Sequence, residues 1–150
     1  ASGDAVAMLP QPFVTTAQAQ NDQIRVALDL TEEWDAVQAG EEQSTMITGV
    51  AIVRSAFADE NPAAVDAFLE HYAESVDFVN ESVEEAAELV GSYDIVAAQV
   101  AQKAIPECNI VCITGDEMAQ KLSGYLDVLA EQNPQAVGGA VPGDDFYYGA

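Results

Sequence analysis

The chain predicts an α/β fold, helix-rich with about three short strands, and three observations point there. Apolar runs at 4–9, 24–30 and 46–53 are short, bounded by turn residues and suited to buried strands. A helix-sized segment behind Pro12 separates the first two, which is the strand-helix-strand alternation of an α/β layer. From Asn61 onward the apolar residues recur every three or four positions instead, the period of helices packed on one face.

Taken in order, Asp4-Ala5-Val6-Ala7-Met8-Leu9 reads as a strand closed by Pro10 and Pro12, and Pro12 opens a helix running to about Gln20. Asn21-Asp22 breaks that helix, and Ile24, Val26 and Leu28 then share one side of a second strand. An acidic, irregular connection from Thr31 to Ser44 leads to the third strand, Met46 to Val53. Asn61-Pro62 starts the strongest helix, with Val65, Phe68, Leu69, Tyr72, Val76 and Val79 as its apolar stripe. Ser82 with Glu85 reads as a capping box for a short helix ending at Gly91, and another helix spans about Asp94 to Ile105, where Pro106 stops it. Asn109 to Ile113 reads as a short extended piece. Thr114 with Glu117 repeats the capping box before a helix with Met118, Leu122, Tyr125, Leu126 and Leu129 inward, ending near Asn133-Pro134. The turn-rich tail is expected to pack through Phe146, Tyr147 and Tyr148.

Composition narrows function. The 150 residues suit one core. With 26 acidic against 4 basic residues, the net charge of -22 repels phosphate backbones and anionic lipid, which excludes nucleic-acid binding. Acidic or amide residues interrupt each apolar run before it could cross a bilayer. The chain opens on Ala1 rather than methionine, so further sequence upstream is expected.

Few residues carry chemistry. The one histidine, His71, falls inside the strong helix beside Glu70 and reads as exposed rather than as a catalytic base. Cys108 and Cys112, if the stretch between them is extended, stand about 13 Å apart, beyond disulfide reach, and read as buried thiols. No second cysteine pair or nearby histidine completes a zinc site, and the runs Glu81 to Glu88 and Asp144-Asp145 lack the glycine and alternating ligands of a calcium loop. No metal and no cofactor is expected. The best candidate is the corner Leu9-Pro10-Gln11-Pro12-Phe13-Val14-Thr15-Thr16, where a strand end meets a helix start, the place at which α/β folds collect ligands. Gln11, Thr15 and Thr16 can supply hydrogen bonds and Phe13 apolar contact.

Segment 4–13, the stretch 46–54 with Arg54, Phe57 and Asn61-Pro62-Ala63-Ala64-Val65, resembles the carboxyl-terminal half of ABC-importer solute-binding proteins, in the nitrate, sulfonate and bicarbonate (taurine-type) branch. Ala104-Ile105-Pro106-Glu107-Cys108-Asn109-Ile110, Ile113-Thr114-Gly115, Gly124-Tyr125-Leu126 and the tail from Gln132 to Tyr148 carry the same resemblance over nearly the whole chain. It implies the carboxyl-terminal part of a two-lobed type II periplasmic-binding-protein fold. Residues 1–45 would end the second lobe and cross over; residues 46–150 would return to the first. Gln11, Pro12, Phe13, Thr15, Thr16 and Thr48 would face the cleft. Where the family often has Glu before the proline, this chain has Gln11, which disfavours a cationic ligand.

The implied function is not catalysis. It is capture of a small organic or oxyanion solute and its delivery to an ABC permease and its ATPase, at the extracellular face of the membrane or in the periplasm, with a lipid anchor upstream. The charge of -22 opposes anionic ligands at long range, although screening over about 8 to 10 Å weakens that effect. Two alternatives stay open: an acidic helical protein-interaction module without a small-molecule ligand, and a thiamine-pyrimidine-precursor-related protein of the same fold. Strands deprived of their neighbours would leave edges uncovered, so self-association of the fragment is also an expectation.

Overall fold

The computed structural model describes residues 5–38 and 44–150. They are 62% helical and contain no strand. Seven α-helices lie among them: α1 (Phe13–Gln20), α2 (Leu30–Val37), α3 (Ser55–Glu60), α4 (Pro62–Glu81), α5 (Val83–Ser92), α6 (Ala98–Ala104) and α7 (Gly115–Gln132). Single 3-10 turns follow at Ile105–Glu107, Pro134–Val137 and Asp144–Phe146.

The α/β expectation is therefore corrected. Residues 5–9, 24–29 and 46–53, expected as strands, have no regular secondary structure and no ladder partner, and Leu30, the end of the second run, starts α2. Asp4 and residues 39–43 of the acidic connection lie outside the described residues. The physical reason is that apolar, β-branched composition favours an extended backbone but does not supply the second strand a ladder needs. With no sheet, the fold is all-helical among the described residues and not the two-lobed periplasmic-binding-protein architecture.

Two compact units divide the chain. The first comprises Ala1–Arg25 and Ala56–Cys112; the second comprises Val26–Ser55 and Ile113–Ala150. In the first, α5 packs closely on α6, and α1 also meets α6. Its core is built from small residues: Ala86, Ala87, Ala101 and Ile105 are buried, with Val79, Val83, Val90, Val96 and Ile110 packed around them. Small side chains let the two helix backbones approach, so a Cβ added at Gly91 would lie 3.0 Å from the Ala98 Cβ and 3.1 Å from its backbone nitrogen. The α5–α6 turn closes on Asp94, whose φ of 54° is left-handed, while the Ile95 N–H donates to the Val90 carbonyl at 3.2 Å. That turn is why α6 begins at Ala98, four residues beyond the expected start at Asp94.

The stripe on α4 is only partly inward. Val65 and Val76 are buried, whereas Phe68 and Tyr72 lie exposed and stack on each other at 5.7 Å. Neither expected capping box forms: the side chains of Ser82 and Thr114 make no cap hydrogen bond. Instead α2 has the well-made cap, Asp29 Oδ1 accepting from the Thr31 and Glu32 amides at 2.8 and 3.3 Å.

In the second unit, α2 meets α7 through Trp34 and Tyr125, whose ring centroids are 5.2 Å apart. The Trp34 indole N–H donates to Ser44 Oγ at 3.1 Å, and Ser44 is buried against Gly124, where a Cβ would lie 3.0 Å from its own. The tail packs through Tyr147, which is buried and meets the Phe146 ring edge-on at 5.4 Å.

Candidate functional site

The corner before α1 belongs to the first unit. The Gln11–Pro12 peptide is cis, and α1 starts at Phe13 without a side-chain cap from Pro12. Gln11 takes over part of that role: its Oε1 accepts from Thr15 Oγ1 at 2.8 Å and from the Thr15 amide at 3.3 Å. The Phe13 and Val14 amides donate to the Pro10 carbonyl at 3.0 and 3.3 Å, and the Thr16 amide and hydroxyl both donate to the Pro12 carbonyl, at 2.9 and 3.0 Å.

This local bonding changes what the corner can do. A helix start attracts anions through unpaired N–H groups, and here the first amides of α1 are already engaged. These amides are bonded within the turn itself. Thr15 is buried and Thr16 half-buried, so their hydroxyls hold the turn together. At the corner Gln11 is half-buried and Phe13 is 61% exposed. Thr48 belongs to the second unit, where it is exposed in the stretch before α3.

Other chemistry-bearing residues are spread out. His71 is exposed on α4, as expected from its position. Cys108 and Cys112 are unpaired, half-buried thiols. Burial pushes the Cys108 thiol above its ordinary range, and the carboxylate of Glu107 adds to that. Tyr147 is likewise raised, by burial first and then by Asp127 and Asp144. No group of three or more His, Cys, Asp or Glu suited to a metal occurs among the described residues.

Helix packing creates a further feature that the linear pattern did not show. Between α4, α5 and the 93–95 turn lies an open, largely apolar groove of about 330 Å³. Phe78, Leu89, Val90, Tyr93 and Ile95 line it, with Glu74 at its edge. Glu81, Glu84, Glu85 and Glu88 line a second, polar groove along the start of α5. Tyr93 and Ile95, on either side of Asp94, are 76 and 73% exposed.

Comparisons with protein-family models, with curated proteins and with solved structures find no match for this chain.

Proposed function

We propose that the chain is the solute-binding component of an ABC importer, taking a small organic or oxyanion solute against the corner formed by Gln11, Pro12 and Phe13. The single observation carrying this reading is that corner: a side-chain amide locked through Thr15 beside an accessible aromatic ring, within the segment that carries the family resemblance. Oriented amides next to an apolar face suit a small polar organic ligand better than a bare cation. Thr15 and Thr16 act here by holding Gln11 and Pro12 in place.

A second feature supports the reading. Val6, Met8 and Ile52 are 95, 82 and 87% exposed, within the apolar stretches once expected as strands. Exposed apolar residues of this kind suit burial against further protein, as in a larger binding protein. The permease and its ATPase are the partners, at the extracellular face of the membrane or in the periplasm.

A thermal-shift screen of the full-length protein against taurine, nitrate, bicarbonate, a thiamine pyrimidine precursor and benzoate tests the proposal. A compound at a hundredfold excess over its Kd stabilises by about 2.7 kcal/mol. That corresponds to a Tm rise of roughly 5 to 10 °C for a protein of this size. A flat response to the whole panel would overturn the proposal.

The second reading is an acidic helical interaction module. The all-helical fold and the open groove beside α5 favour it.

A further inference from the structure

We propose that two of the three points at which the chain passes between its compact units are cleavage sites for an arginine-specific endoprotease of the trypsin type. The opening stretch of the first unit ends at Arg25, and that of the second ends at Ser55, directly after Arg54. Arg25 and Arg54 are the chain's two arginines, and both are exposed. Each lies in a run without regular secondary structure, and residues 25–28 and 46–53 take part in no hydrogen bond among the described residues. A protease holds its substrate as an added strand, through main-chain hydrogen bonds, with pockets for the side chains. In the trypsin type the pocket before the scissile bond ends in a carboxylate, which selects a basic side chain. Unpaired backbone beside an exposed guanidinium meets both requirements.

The two lysines show what the fold withholds. Lys103 is exposed but lies within α6, next to the buried Ala104. Lys121 lies within α7 and pairs with Glu117 at 3.3 Å. Their backbone is committed to helix, so no strand can be added there until the helix opens. Local charge favours the arginines as well: positions 23–28 and 51–58 hold no carboxylate, in a chain with 26 acidic residues. Cleavage adds water across the Arg25–Val26 or Arg54–Ser55 peptide bond, leaving an arginine carboxylate and a new amino terminus at Val26 or Ser55. After both cuts, segment 26–54 with α2 is held to α7 only by contacts such as that of Trp34 with Tyr125. The inference stands apart from the solute reading, since no ligand enters it.

The test is timed digestion of the folded chain with a trace of trypsin, read by intact mass. The first cuts are expected after Arg25 and Arg54. Cleavage after Lys103 and Lys121 should be at least about a hundredfold slower, because it tracks the population of an opened helix. Lys103→Arg and Lys121→Arg should be cut as slowly as the parent lysines, which separates the fold from any preference of the enzyme for arginine. The same chain unfolded before digestion should lose the selectivity and be cut at all four positions together. First cuts after Lys103 or Lys121 would overturn the proposal. So would an intact Arg25 and Arg54 for as long as the far-UV signal of the folded chain persists. Selectivity that survives unfolding would overturn it too, since it would owe nothing to the crossovers.

Discussion

Replacing Gly91 by alanine puts the α5–α6 contact to a quantitative test. The added methyl would meet the Ala98 Cβ at 3.0 Å, its nitrogen at 3.1 Å and its Cα at 3.3 Å. Two of those three atoms are backbone, so no rotamer change relieves the overlap and α6 must shift. Overpacking of this kind costs about 1–3 kcal/mol. Against it stands the helix propensity of alanine, about 1 kcal/mol over glycine in a helix interior and less at Gly91, which is the second-last residue of α5. The net is a loss of about 1 to 2 kcal/mol, or a Tm lower by roughly 2 to 8 °C. Circular dichroism at 222 nm during thermal and urea unfolding reads it directly. Gly49→Ala is the control, since no atom lies within 4 Å of its added Cβ. A Gly91→Ala protein as stable as its parent would refute the close approach of α5 to α6.

Four other outcomes are expected. Ile105→Ala removes the largest side chain of the alanine-rich core, where Ile105 is 6% exposed, and should cost about 2–5 kcal/mol in urea denaturation. Asp29→Ala removes the cap of α2 and should cost about 1 kcal/mol. Gly124→Ala pushes on Ser44, so the emission of Trp34, the sole tryptophan, should shift as its bond to Ser44 Oγ loosens. The raised Cys108 thiol means the folded state holds its proton more tightly than the unfolded state. Its contribution to stability is complete below the ordinary thiol pKa of about 8.5 and is lost as pH rises through the folded value. Cys108→Ala should flatten the fall in Tm over that window.

Local signals account for the parts of the fold that could be read in advance. Asn61-Pro62 followed by apolar residues at three- and four-residue spacing locates α4 to within a few residues, and α1, α5 and α7 also fall where their punctuation places them. The three expected strands failed because pairing is a non-local event, and a run such as Met46 to Val53 states a preference without naming a partner. The same bias hid α2: the acidic stretch after Leu30 looked irregular, although Asp29 with Glu32 three positions later is a helix-start signature. At the candidate site, residue types pointed to the Gln11–Thr16 corner. The engagement of its amides by Pro10, Gln11 and Pro12 depends on the turn geometry, which composition does not encode. The groove beside α5 was invisible for a related reason, since it arises from the distance between two helices.

The most direct measurement of the central claim is amide chemical-shift mapping of the isotopically labelled protein during titration with taurine, nitrate and benzoate. The account predicts that at least one of them shifts the Phe13 amide and the Gln11 side-chain NH₂ saturably, with α7 unmoved. Saturable shifts confined to residues away from 11–16, or no shift with any of the three, would contradict it.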